Sequence, residues 1–316
     1  MSAIQIAGLH KAYGAVKALD GLDLAVEPGT IFGFLGPNGA GKTTTIRILT
    51  GLARPTAGRA WVAGVEVTAR GANAHQDLER HFGHLPEEPA FYNWMTPREF
   101  LDHVARLFGL SSGERRARVR ELLELVGLAD VAQRRIGGFS RGMRQRLGVA
   151  QALVNQPPVL FLDEPASALD PAGRKEVLDL IGNLRGRCTV FMSTHILADV
   201  ERVCDSVGII ARGRLITQGL RTELLARYAI PAFEVEVDAG GQAALAAWVE
   251  AQRQQPWVTT IALDGQTARL TVSDLSAAKQ ALLPAAVAAG LVLTRYEMLQ
   301  PSLEDIFLRL VGEDGH

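Results

Sequence analysis

The sequence predicts an α/β fold built on a largely parallel sheet, followed by a smaller α+β domain. Three observations carry that expectation. Apolar, β-branched runs alternate with helical patterns through the first part of the chain. Three of those runs end in polar residues, as strands do when their carboxyl ends line a ligand crevice. After about Thr222 the composition shifts to a β-α-β-β-α-β order, the split-βαβ or ferredoxin-like arrangement.

In chain order, Ile31 to Leu35 is a short apolar strand that runs into a glycine-rich turn, and a helix follows from Thr44 to about Thr50. Pro97 to Asn155 is helix-rich, with leucine periodicity in R-E-L-L-E-L-V-G-L. Val159 to Leu162 is a second strand, set off by Pro157-Pro158 and closed by two acids, and Cys188 to Thr194 is a third. The tail reads as strand Phe233–Val237, helix Ala243–Arg253, strands Val258–Leu263 and Ala268–Val272, helix Ser276–Ala289 and strand Leu291–Glu297. A last helix is expected from Ser302, its hydroxyl capping the first turn while Asp305 faces back toward it. Residues 1–222 are therefore expected to form the main domain, 223–231 a linker with its joint at Ile230-Pro231, and 232–316 an accessory domain.

The bulk numbers bound the function. A chain of 316 residues, 47% hydrophobic and 21% charged, has an ordinary globular composition. A formal net charge of −1 asks for no nucleic acid, and none is expected as a direct partner. Cys188 and Cys204 show no metal-site spacing and no disulfide framework, which suits a reducing compartment. The start M-S-A-I-Q-I-A has neither basic n-region nor apolar h-region, so no signal peptide is expected. The apolar run Ala281 to Leu293 falls short of the roughly 20 residues that span hydrocarbon, so any membrane helices must come from another polypeptide.

Gly36-Pro37-Asn38-Gly39-Ala40-Gly41-Lys42-Thr43 matches G-x-x-x-x-G-K-[ST] in full, between an expected strand and an expected helix. Glycines let backbone N–H groups converge on phosphate oxygens, and the helix opening near Thr44 adds its positive dipole end. Lys42 is placed to reach the β- and γ-phosphates and the Thr43 hydroxyl to ligate Mg²⁺. The dinucleotide fingerprint G-x-G-x-x-G does not fit this spacing. Asp163, at the end of the second strand, is placed to hold Mg²⁺, and Glu164, pointing differently, to act as general base toward water. His195 ends the third strand and is positioned to touch the γ-phosphate. An isolated acid pair or lone histidine reads more simply as a solvated strand end; the complete phosphate loop reverses that balance.

A further element brings a resemblance. Phe139-Ser140-Arg141-Gly142-Met143, preceded by Gly137-Gly138, looks like a variant of the L-S-G-G-Q signature of the ATP-binding-cassette (ABC) ATPases, with Arg141 and Met143 departing from it. Ser140 also reads as an ordinary helix N-cap. The resemblance covers about residues 2 to 222. It implies a P-loop NTPase cassette: a RecA-like core with antiparallel β and helical subdomains, ahead of the small ferredoxin-like domain. It makes Tyr13 the aromatic that stacks on adenine, with a core tyrosine as the alternative. Ser167-Ala168-Leu169-Asp170 matches the D-loop, and Asp170-Pro171 is also a conventional cap-plus-proline helix start. Glu87 stands near where the family has a glutamine that senses Mg²⁺ and the membrane partner.

The ending Pro301-Ser302-Leu303-Glu304-Asp305-Ile306-Phe307-Leu308 resembles ATPases of two-component ABC-2 exporters, whose permease is a separate chain. The resemblance thus implies an ATP-hydrolysing subunit that uses ATP and Mg²⁺, pairs head to tail with a second copy, and drives an integral-membrane permease from the cytoplasmic face. Ser140, Arg141, Gly142 and Asp170 would serve the partner copy's nucleotide. Phe91, Tyr92, Trp94 and Met95 are either a groove for a permease helix or local core. The arginines in Glu114 to Arg120 read as a solvated helix face rather than a lipid contact. The competing class is a soluble ABC-type ATPase on nucleic acid or ribosomes. Against it, no sustained heptads separate Lys42 from Ser140, and the chain holds one cassette.

Overall fold

The structure is a computed structural model that describes residues 2–69, 78–228 and 231–299, together with 303, 304, 306, 307 and 310. The chain divides into two compact units, Met1–Arg221 and Thr222–His316.

The first unit opens with an antiparallel sheet. Strands β1 (Ile4–Tyr13) and β2 (Val16–Val26) pair directly, and β4 (Ala57–Val62) and β5 (Val65–Glu66) extend them in the order β2-β1-β4-β5. Between β2 and β4 the chain enters the second sheet as β3 (Ile31–Leu35) and continues into α1 (Lys42–Leu49). That sheet is completed by β6 (Phe82–Leu85), β7 (Val159–Asp163), β8 (Thr189–Thr194), β9 (Ser206–Ala211) and β10 (Arg214–Leu220), in the order β10-β9-β3-β8-β7-β6. All neighbours are parallel except the β9–β10 edge. The residues of β3, β7 and β8 are buried throughout, which is why these strands read as continuous apolar runs rather than alternating ones. Phe32 and Phe34 from β3 and Phe161 from β7 pack on Phe191 of β8, with ring centroids 5.1 to 5.7 Å apart. The same core takes in Leu9 and Leu22 of the antiparallel sheet and Ile46 and Leu49 of α1. Both sheets thus clamp α1, and its first residue, Lys42, is fixed by that packing.

A helical arm lies between β6 and β7: α2 (Pro97–Leu107), α3 (Ser112–Leu125) and α4 (Arg141–Ala152). Thr96 and Ser111 each close a capping box, with Glu99 and Glu114 returning the bond. These backbone and hydroxyl hydrogen bonds hold both carboxyls below their ordinary range. Of the four arginines in the α3 stretch, Arg116 and Arg120 are exposed on the expected solvated face, whereas Arg115 and Arg118 are half-buried. Arg115 Nε lies 2.9 Å from Asp102 Oδ1 of α2, and Arg118 donates to the carbonyls of Leu153 and Val154. Both side chains are therefore structural ties: Arg115 joins α3 to α2, and Arg118 joins α3 to the carbonyls just past the end of α4. Two helices flank β8: α5 (Pro171–Gly182) before it and α6 (Leu197–Val203) after it.

A helix, α7 (Arg221–Tyr228), begins at the unit boundary. The second unit then runs β11 (Ala232–Val237), α8 (Gln242–Gln252), β12 (Val258–Asp264), β13 (Thr267–Val272), α9 (Leu275–Ala288) and β14 (Leu293–Leu299). Its sheet order is β12-β13-β11-β14 with every neighbour antiparallel, the split-βαβ topology. Phe233, Leu245, Trp248, Leu270 and Leu282 form its core. Leu303 and Ile306 are buried helical residues, whereas the expected cap Ser302, its partner Asp305 and the joint residue Ile230 lie outside the described residues.

Candidate functional site

The turn from β3 to α1 forms a backbone cradle. Gly39 and Gly41 hold φ of 80° and 110°, a region costly for residues with a Cβ. A Cβ on Gly41 would stand 2.6 Å from the Ala18 carbonyl oxygen, and one on Gly36 would collide with that of Ile210. The loop is braced from outside: Gly36 N–H donates to Thr194 O at 3.3 Å, and Gly213 N–H to Ala40 O at 2.9 Å. Gly41 caps α1 with no side-chain hydrogen bond and the first turn holds no acid, so its N-terminal amides and dipole face the cleft unneutralised. Lys42 is buried and bent back into the loop, donating to the carbonyls of Gly36 at 2.7 Å and Pro37 at 3.2 Å.

The carboxylates converge on the same point from β7. Asp163 Oδ1 accepts from Ser193 Oγ at 2.6 Å and from Thr43 Oγ1 at 3.3 Å. Glu164 turns away from Asp163 because its backbone is left-handed, φ 49°, a conformation that residues other than glycine and asparagine hold only when their surroundings impose it. Two bonds impose it here: Glu164 N–H lies 3.2 Å from both the Ser193 carbonyl oxygen and Oγ. Glu164 Oε1 then lies 3.4 Å from Lys42 Nζ, and Oε2 lies 2.9 Å from His195 Nδ1. Behind the acids, on β6, burial holds His84 below its ordinary range against the opposing pull of Asp163.

Asn38, Gly39, Gly41, Lys42, Thr43, Thr44, Glu87, Glu164 and His195 line one cleft of about 340 Å³, and Ala18 and Ser167 complete it. Gly36, Pro37 and Ala40 build the loop behind it. The remaining sequence candidates stand outside this cleft. Tyr13 is 49% exposed at the end of β1, with Lys11 Nζ 4.6 Å from its ring centroid, so the core-tyrosine alternative falls. Ser140 is the N-cap of α4, accepting from Met143 N–H at 3.2 Å, with Arg141 and Gly142 in the first turn. Asp170 is the N-cap of α5 ahead of Pro171, but its side chain makes no capping bond, unlike the conventional start expected of it. Ser193 is the residue that sequence reading missed. It sits on β8 and reaches Asp163 across the β7–β8 pairing, 30 residues away in sequence.

The arrangement offers backbone N–H groups and a lysine for polyphosphate, hard oxygen donors for a small divalent cation, and a carboxylate–imidazole pair at the far end for water. Comparison with known proteins agrees with that chemistry. The family model described as ABC transporter matches residues 19–167, and that of the DrrA1-3-like ATP-binding protein C-terminal domain matches residues 219–311. The chain is 40% identical to the uncharacterized ABC transporter ATP-binding protein YxlF of Bacillus subtilis, covering 98% of this chain and 99% of that one. It is 37% identical to the daunorubicin resistance ATP-binding protein DrrA3 of Streptomyces coeruleorubidus, over 99% and 97%. Among solved structures, an ATP-binding subunit of an ABC transporter superposes with a TM-score of 0.63 at 31% identity, covering 72% of this chain and 93% of the other. The chain therefore belongs to the ABC transporter ATP-binding proteins, as a P-loop NTPase cassette with a DrrA-like C-terminal domain.

Proposed function

We propose that this chain is the motor of an exporter: two copies sandwich two ATP molecules with Mg²⁺ and drive a separate integral-membrane permease from its cytoplasmic face. The observation that carries the reading is the cluster of Lys42, Glu164 and His195 at one end of the phosphate cradle. Relatives point the same way: one is named for bacitracin transport in Bacillus licheniformis and one for Nod factor export in Paraburkholderia xenovorans. No structural observation favours the soluble, nucleic-acid-directed alternative.

The residues divide the work. Lys42 exchanges the carbonyls of Gly36 and Pro37 for the β- and γ-phosphate oxygens, an exchange of neutral for charged acceptors. That movement releases Glu164, which takes the proton as water oxygen bonds to the γ-phosphorus and the bond to the β–γ bridging oxygen breaks. His195, held by Glu164, faces the γ-phosphate. Thr43, Asp163 and Glu87 are the oxygen donors available to Mg²⁺, which would spread the charge that builds on the leaving phosphate. Among the described residues no three His, Cys, Asp or Glu side chains group closely enough to hold a metal alone. Mg²⁺ would then take its other ligands from phosphate and water, its usual habit. Tyr13 supplies an exposed ring for adenine, and Ser140, Arg141, Gly142 and Asp170, exposed or half-buried at two helix starts, serve the second copy's nucleotide.

The aromatic segment is the contact to the permease. Tyr92 and Trp94 are 53% and 65% exposed, and their rings lie 5.9 Å apart. With Phe91, Phe100, Leu107 and neighbours, Tyr92 lines a groove of about 360 Å³. Large exposed aromatics over a groove suit a partner helix. Among the described residues no helix is long and apolar enough to cross a membrane.

The test is affinity purification of the tagged chain from detergent-solubilised membranes of its source, with partners identified by mass spectrometry. A stoichiometric partner with several membrane spans is expected. Recovery of the chain alone, or with ribosomes or nucleic acid, would leave the ATPase standing and remove the exporter.

A further inference from the structure

His195 has little to hold it. Its side chain is 42% exposed, and its ring nitrogen has one hydrogen-bond partner among the described residues, Glu164. The placement of the ring therefore depends on the turn that carries it, from the end of β8 into α6. One side of that turn is fixed locally, by Ile196 N–H donating to Thr194 Oγ1 at 3.0 Å. The other side is α6, which starts at Leu197 and sits on Val200 and Val203, both buried.

The first turn of α6 also carries Asp199, a carboxylate only 2% exposed. An acid favoured merely by the helix dipole does that work from the surface. Burying it costs free energy unless a cation meets it with good geometry. The cation comes from the neighbouring helix: Arg174 Nε of α5 lies 2.7 Å from Asp199 Oδ1. Burial raises the Asp199 carboxyl, Arg174 opposes that rise, and the charge of Glu164 adds to it, so the pair lies within electrostatic reach of the catalytic cluster.

Arg174 is itself tied to a second functional turn. Its N–H donates to the Asp170 carbonyl at 2.9 Å. The residue before it, Gly173, leaves room for the Asp170 side chain, since a Cβ there would stand 2.8 Å from Asp170 Oδ1. A Cβ on Gly142 would in turn lie 3.7 Å from the Gly173 Cα, so the start of α4 rests against the start of α5. One side-chain pair thus connects the turn at Asp170 with the turn at His195.

We propose that Asp199 and Arg174 are positioning residues for hydrolysis: their buried pair pins the first turn of α6 to the Asp170 end of α5 and so holds the His195 ring at Glu164. This rests on the reading of Glu164 and His195 as the hydrolytic pair. Neither residue touches nucleotide; both act through His195.

The test uses the purified full chain, with phosphate release for turnover and a fluorescent ATP analogue for affinity. Asp199→Asn keeps the side-chain volume and removes the charge. It should lower kcat at least about tenfold while the dissociation constant changes less than about twofold, the split expected when a reacting group is displaced and binding is not. In a His195→Ala background the same substitution should cost less than about twofold more, because the group it positions is gone. Arg174→Lys should recover most of the activity lost in Arg174→Met. Unchanged kcat in Asp199→Asn, or an undiminished loss in the His195→Ala background, would overturn the proposal. If Asp199→Asn does not fold, Arg174→Met breaks the pair from its more exposed side and decides by the same criteria. Glu164→Gln in the same assay separates the failures: normal turnover there removes the site reading and this proposal with it. A dead Glu164→Gln beside a normal Asp199→Asn removes only the positioning role.

Discussion

Lys42 and Glu164 form a buried ion pair across the phosphate cradle, Nζ to Oε1 3.4 Å, with side chains 6% and 9% exposed. The cation that would grip phosphate and the carboxylate that would activate water thus face each other across the cradle. Glu164→Gln breaks that pair but keeps the shape of the side chain. Turnover should fall by about 10² to 10⁴, the usual worth of a general base. ATP binding should persist or tighten, because Lys42 no longer has to leave a carboxylate. Phosphate release and ATP titration check the two halves, and size-exclusion chromatography with ATP should show an accumulated dimer. Unimpaired hydrolysis would remove Glu164 as the base.

Lys42→Ala should act on binding first. A hydrogen bond to a charged group is worth roughly 1.5–3 kcal/mol, so affinity for ATP should drop about 10- to 150-fold. Titration with a fluorescent nucleotide measures it directly. Normal affinity would sink the cradle assignment.

Two glycines of the cradle should respond differently to alanine. Gly39 has φ 80° and open space around its missing Cβ, so Gly39→Ala costs strain alone, about 1 kcal/mol. Gly41 has φ 110° and the Ala18 carbonyl oxygen 2.6 Å from where the Cβ would go. Gly41→Ala should therefore cost clearly more, about 2 kcal/mol or above, in denaturant melts without nucleotide. Equal losses would mean the loop relaxes away from this geometry.

The two thiols should be inert in the native protein. Burial pushes Cys188 up to about 11 and Cys204 higher still, so at pH 8 both remain thiols and are shielded as well. Iodoacetamide at that pH should label neither, and should label both once guanidinium unfolds the chain. Rapid native labelling of one would show that its strand or helix end opens locally.

Much of this site was legible because phosphate chemistry constrains neighbouring residues. The loop from Gly36 to Thr43 and the pair Asp163-Glu164 each sit in one short stretch, and strand ends are readable from where apolar runs stop. Ser193 was harder, since its bond to Asp163 spans 30 residues and joins two buried strands whose register no local pattern specifies. The same holds for Arg174 and Asp199, 25 residues apart on different helices. Arg118 misled for another reason: a cation on a charged helix normally faces water, but this one bonds the Leu153 and Val154 carbonyls just past α4, 35 and 36 residues away.

The groove by Trp94 gives the test that connects motor to membrane. The Trp94 and Tyr92 rings lie 5.9 Å apart, tilted by 38°, at the start of the helical arm, remote in sequence from the loop expected to hold phosphate, and both are exposed. Exposed aromatics of this size are costly to leave in water unless a partner covers them, and such residues carry a large share of interface energy. Trp94→Ala should therefore weaken the complex with the permease by about 2 kcal/mol or more, roughly 30-fold, in detergent pull-downs titrated with the tagged chain. Basal hydrolysis by the purified chain should stay within about twofold, since Trp94 is absent from the nucleotide cleft. The two readings separate the alternatives. Retained permease binding would make the segment a surface of the arm without a coupling role, whereas lost hydrolysis would make it part of the cassette's own packing.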